Sequence, residues 1–200
     1  MRDKLKFKKL LSEFRSLKFE GEYIEDILLE AHEEFDNYYG QFCEDRGINI
    51  KQLEENNKNR VESIKGETVK DYYKKLHGNQ DELTQFKKTH RKLMRLLHPD
   101  KLDESDPQRE EKEEDFKRVV EAVETGIWAD FFDVADKYGV EIEELDEANR
   151  LLAEDIGKIE GKNKSKKTTF SWMLNECEDE PCRERIIRTF LNFMYGYSGD

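Results

Sequence analysis

Only three prolines and eleven glycines interrupt this 200-residue chain, so long helices are its default. Apolar residues recur at steps of three and four, and the two-residue alternation of a half-buried strand is nearly absent. The chain therefore reads as all-α. Hydrophobic residues make up 36% of it and charged residues 41%, which predicts thin cores between amphipathic helices rather than one thick core.

Leu10, Phe14 and Leu17 mark a short first helix. Ile24, Ile27, Leu28, Ala31, Phe35, Tyr38 and Phe42 mark a longer second one that Gly47 stops, and the two are expected to form a hairpin. From Asn49 to Gly66 the apolar residues thin to Ile50, Leu53, Val61 and Ile64, the pattern of an exposed helix or a linker. This divides the chain into an N-terminal helical extension (1–66), a central domain (67–139) and a C-terminal helical hairpin (140–200).

Within the central domain, Asp71–Leu76 supplies a short helix with an aromatic face, and Asp81 stands where it could cap the next helix. Leu83, Phe86, His90, Leu93 and Leu97 then share one stripe, with lysines and arginines projecting away. Pro99 cannot continue that helix and disfavours helical geometry at His98, so a stiff turn is expected to display His98 and Asp100 outward. A third helix begins near Pro107, with Glu110, Glu111, Glu113 and Glu114 at its positive end and Phe116, Val119, Val120 and Val123 facing inward. The helices on either side of the turn are expected to close as an antiparallel pair.

Further on, Ile127, Phe131, Val134, Ala135 and Tyr138 form a stripe ended by Gly139. Ile142, Leu145, Asn149, Leu152, Ile156 and Ile159 form a coiled-coil-like seam with one polar position. Gly161–Lys167 reads as a basic turn, and Trp172, Met173, Ile186, Ile187, Phe190, Leu191 and Met194 as the last helical segment.

The net charge of -12 argues against bulk nucleic-acid binding. The bases are nonetheless clustered. Between Leu83 and Lys101, Lys87, Lys88, Arg91, Lys92, Arg95 and Lys101 meet a single acid, Asp100, whereas from Asp103 to Glu124 ten acids meet four bases. One positive stripe on a negative molecule suits an acidic protein partner. The plainer alternative is that the two helices neutralise each other's faces.

A basic helix, the turn His98-Pro99-Asp100-Lys101 and a returning helix together resemble the J domain of DnaJ-type co-chaperones. Asp71, Tyr72, Tyr73 and Leu76 are similar to the start of the family's first helix. Phe86, Lys87, Lys88, Arg91, Lys92 and Leu93 match its second, and Phe116, Val119 and Ala122 its third. The match is specific from about Gln85 to Ala122 and absent outside roughly 69–138. The resemblance implies docking on a DnaK-class chaperone and stimulation of its ATPase, with no catalysis and no cofactor in this chain. Lys87, Lys88, Arg91, Lys92 and Arg95 would steer onto an acidic face of that partner. Asp100 would accept from a partner arginine, and His98, Pro99 and Lys101 would complete the loop. Three departures stand out: His90 where tyrosine is usual, Val123, and Gly126–Phe132 in place of the family's basic fourth helix. They leave open a helical adaptor or scaffold whose J-like module no longer stimulates an ATPase. A nucleic-acid-associated factor using the basic helix alone is a third reading. On either of the first two, the flanking helices would select an unknown client or target.

Cys43, Cys177 and Cys182 are an odd count, read as free thiols; a zinc site would need more ligands than Cys177 and Cys182 supply. No apolar run approaches the length of a membrane span, and the N-terminus lacks the apolar stretch of a secretory signal. The expected compartment is a reducing cytosol, bacterial or of a virus-infected cell. His90, on the apolar stripe, is expected to be a packed core residue. Tyr38, Tyr39, Phe42, Phe190, Phe193, Tyr195 and Tyr197 read more naturally as packing between thin helices than as an exposed client surface.

Overall fold

The computed structural model describes residues 2–59, 61–62 and 80–199; of residues 80–82 it describes the backbone alone. Helices and turns account for the structure, with no strand among the described residues, so the fold is all-α. The helices are α1 (Arg2–Asp45), α2 (Ile50–Asn56), α3 (Gln80–Gln85), α4 (Lys87–Leu97), α5 (Arg109–Thr125), α6 (Trp128–Lys137), α7 (Leu145–Lys166), α8 (Phe170–Asn175) and α9 (Glu180–Tyr195). A 3-10 turn, Pro99–Lys101, separates α4 from α5. Among the described residues no helix is long and apolar enough to cross a membrane.

The described residues fall into two compact units, one drawn from Met1–Lys18 and Leu76–Glu160, the other from Phe19–Lys75 and Gly161–Asp200. These are not the three consecutive stretches 1–66, 67–139 and 140–200. The reason lies in two helices longer than the sequence suggested. The expected N-terminal hairpin is one uninterrupted 44-residue helix, α1. Leu17, Gly21 and Ile24 keep the three-and-four spacing across the supposed break, and a mid-helix glycine costs only about 1 kcal/mol against alanine. Gly21 is there for close approach: a Cβ on it would come 2.9 Å from the side-chain oxygen of Asn163. Likewise the expected turn at Gly161–Lys167 stays helical in α7 as far as Lys166. No proline falls there, and Lys166 and Lys167 pair with Glu25 and Glu20. Residues 140–200 therefore form three helices rather than a hairpin.

In the first unit, Phe7, Leu11 and Phe14 of α1 join Phe86, Leu93 and Leu97, Val119 and Ala122 of α5, and the apolar face of α6 in one core. Trp128, Phe131 and Phe132 are completely buried there, while Ile127, expected on that stripe, is 40% exposed just outside the helix. Asn149 occupies the polar place in the seam; its amide donates to the Asp3 carbonyl at 3.3 Å. In the second unit, Phe35, Phe42, Ile187, Leu191 and Tyr195 form the core, with Tyr38, Tyr39, Phe190 and Tyr197 packed against it. Packing thus accounts for the aromatic residues singled out in the sequence; Phe193, half exposed, still sets its ring 5.8 Å from that of Phe170.

Cys177 and Cys182 correct another expectation. They are not free thiols but are joined by a disulfide, and only Cys43 is free, buried in the second unit. Cys177 follows α8 and Cys182 sits in the first turn of α9, where Asp179 caps the helix by accepting from the Cys182 amide. That cap brings their Cα atoms to 5.5 Å, within ordinary bridging range. Disulfides are rare in a reducing cytosol, so the cysteines no longer support the expected compartment.

Candidate partner-docking site

The site is built on α4. Leu93 and Leu97 on its inner face are completely buried, and Phe86, in the link from α3, lies edge-to-face against Phe132 with ring centroids 5.1 Å apart. Asp81, expected to cap this segment, lies inside α3, which starts one residue earlier. His90 is half-buried and nearly parallel to Phe131 at 6.5 Å; burial pushes its pKa below the usual histidine range, as befits a neutral packing residue. Thr89, which sequence reasoning did not place inside, is buried because its hydroxyl donates to the Glu141 carbonyl at 3.1 Å.

At the end of α4, His98 leaves the helix with φ -60° and ψ 124°, the extended geometry a following proline imposes. Its Nδ1 accepts from the Asp100 amide at 3.3 Å, and its ring stands edge-on to Phe116 of α5, 5.4 Å between centroids. The Lys101 amide donates to the His98 carbonyl at 2.9 Å and the Leu102 amide to that of Pro99 at 3.2 Å. This corner is stiff, and the Asp100 side chain is 87% exposed at its tip. α5 starts at Arg109, just past Pro107. Its buried face is Asp115, Val119 and Ala122, with Phe116, Val120 and Val123 only half covered.

Lys87, Lys88, Arg91, Lys92, Arg95 and Lys101 are all exposed. The acids of α5 do not neutralise them. Arg109 pairs with Glu113 and Lys137 with Glu111. The one ion pair on α4 among the described residues runs from Lys88 to Glu143, 2.6 Å away in the segment joining α6 to α7. The hydrogen bond from Lys88 holds the Glu143 carboxyl below the usual range. In Lys88→Ala that carboxyl is expected to titrate higher, near an ordinary glutamate. Side-chain carbon-13 NMR across pH 3–6 reads this directly, and an unmoved midpoint would mean that the pair does not persist in solution.

That joining segment is part of the site, and the sequence reading passed over it. Gly139 turns the chain at φ 64°, Val140 donates to the Ala135 carbonyl at 2.8 Å, and Val140 and Ile142 are buried in the core. With α4 it walls a shallow recess lined by Lys92, Arg95, Leu96, Tyr138, Gly139, Val140 and Glu141. Arg118 donates to Asp115 at 3.0 Å, Asp130 at 2.5 Å and Asp133 at 2.7 Å, Arg15 also donates to Asp133, and Lys137 and Tyr138 also donate to Asp115. Asp115 shares the helical stripe of Val119 and Ala122, and a carboxylate on a buried stripe was the one available signal for this network.

Asp71, Tyr72, Tyr73 and Leu76, matched to the family's first helix, lie outside the described residues. Among the described residues no group of three or more histidines, cysteines or carboxylates could hold a metal. No family model, no curated protein and no solved structure matches the chain.

Proposed function

We propose that the chain is a J-domain-type co-chaperone that docks on a DnaK-class chaperone, stimulates its ATPase and brings it to a target selected by the flanking helices, in the cytoplasm of a bacterium or of a virus-infected cell. The observation that carries this reading is Asp100: a carboxylate held outward on a proline-stiffened corner, beside a helix whose Arg91, Lys92 and Arg95 make no ion pair with a described residue. Exposed cations clustered on a negatively charged chain favour encounter with an acidic surface. Asp100 is then free to accept a charge-assisted bond from a partner arginine. The carboxylate does no chemistry; docking biases the conformational equilibrium of the partner ATPase.

Steady-state ATP hydrolysis by a DnaK-class chaperone tests it. Wild-type chain is expected to raise turnover, and Asp100→Asn, which keeps size and loses charge, to return it to the basal rate. Unchanged turnover with wild type would instead favour a helical adaptor or scaffold. One observation supports that second reading: where the family carries a basic fourth helix, α6 buries Trp128, Phe131 and Phe132 and serves as core.

A further inference from the structure

α4 carries one apolar side chain that its own core does not explain. Leu93 and Leu97 are completely buried, yet Leu96 leaves 48% of its surface exposed. With Lys92 and Arg95 of the same helix it lines the recess whose other lining comes from Tyr138 to Glu141. The far wall is fixed before any partner arrives, because Val140 is anchored by its backbone bond to Ala135 and the Glu141 carbonyl by the Thr89 hydroxyl. A preformed wall lowers the ordering cost of binding. An exposed aliphatic centre bordered by cations that make no ion pair with a described residue has the layout of an interface anchor, where a small desolvated core is ringed by charge.

We propose that this recess is the anchor point of the docking surface: it takes one aliphatic side chain that the partner presents between carboxylates. Lys92 and Arg95 receive those carboxylates, while Leu96, Val140 and the Tyr138 ring cover the aliphatic group. Glu141 on the rim repels a third acid and so sets the direction in which the partner segment runs. The identity of the partner rests on the co-chaperone reading; the chemistry of the recess does not.

Binding of the 200-residue chain to the ATPase domain of a DnaK-class chaperone tests this by fluorescence titration. Leu96→Ser is expected to weaken binding about tenfold, the order expected when a partly buried leucine loses its apolar contact. The same change at Leu5, 65% exposed on α1, is expected to leave binding unaltered. Equal binding by wild type and Leu96→Ser would overturn the proposal. If the ATPase domain fails to bind wild type at all, the co-chaperone reading falls. The recess is then decided by two end-blocked peptides that carry only the two flanking carboxylates, Ser-Glu-Leu-Glu-Ser and Ser-Glu-Ser-Glu-Ser. Preference for the leucine peptide that disappears in Leu96→Ser supports the anchor; equal or no binding of the two overturns it.

Discussion

Phe86→Ala is expected to destabilise the unit drawn from Met1–Lys18 and Leu76–Glu160 by about 3–5 kcal/mol, the range for emptying a buried phenylalanine site. Phe86 is completely buried and meets three aromatic rings, Trp128 at 5.4 Å, Phe131 at 6.2 Å and Phe132 at 5.1 Å. It stands just before α4, and its loss removes the ring that packs against all three aromatic side chains of α6, leaving His90, Leu93 and Leu97 to hold the two helices in one core. Domains of this size have only about 5–15 kcal/mol in total, so the variant should sit close to its unfolding threshold. Urea unfolding followed by circular dichroism measures this. Lys117→Ala, an exposed change on α5, should stay within about 0.5 kcal/mol of wild type. A loss below about 1 kcal/mol for Phe86→Ala would mean that the aromatic cluster does not carry this core.

Arg118→Ala is expected to cost about 3 kcal/mol at neutral pH, the lower end for breaking a buried ion pair, since the arginine side chain is 28% exposed. Asp115, Asp130 and Asp133 lose a shared cation and keep only Arg15, Lys18 and Lys137. Burial alone would raise the Asp133 carboxyl, but the bonds from Arg118 and Arg15 overcome it and hold it below the usual range. A carboxylate depressed in the folded state contributes stability present above its unfolded pKa, about 3.9, and lost as pH falls through the folded value. Wild type should therefore lose stability on acidification toward pH 3. The variant has less of that stability to lose, and protonation relieves repulsion among its aspartates. The difference between the two should narrow between pH 7 and pH 3. Urea midpoints at both pH values check this, and a constant difference would show that the effect is packing rather than charge.

Much of the site was legible in local chemistry. Pro99 fixed the end of α4 and the extended geometry of His98, and the spacing of Phe86, His90, Leu93 and Leu97 fixed which face turned inward. The exposure of the α4 cations followed from the same spacing, and that of Asp100 from the Pro99 turn. The pairing of Lys88 was not legible, because Glu143 lies 55 residues away and acids are abundant everywhere in this chain. Thr89 was missed for a similar reason: a threonine enters a core when a distant carbonyl is brought to its hydroxyl, and no local pattern announces it. The Cys177–Cys182 bridge depended on the cap at Asp179, which decides how close two cysteines five apart can come.

By itself the sequence determined local character among the described residues: helical nearly throughout, with one stiff corner carrying an outward carboxylate beside a row of cations. Periodicity, proline and side-chain charge act within a few residues of chain, so they can be read without a partner. Which helices are continuous, which stretches share a core and which charges meet was decided only in three dimensions. α1 and α7 each pass through what looked like a break because burial of Gly21 and pairing of Lys166 and Lys167 outweigh a local preference of about 1 kcal/mol. Long-range packing sums many such contacts, and a difference that small yields to it.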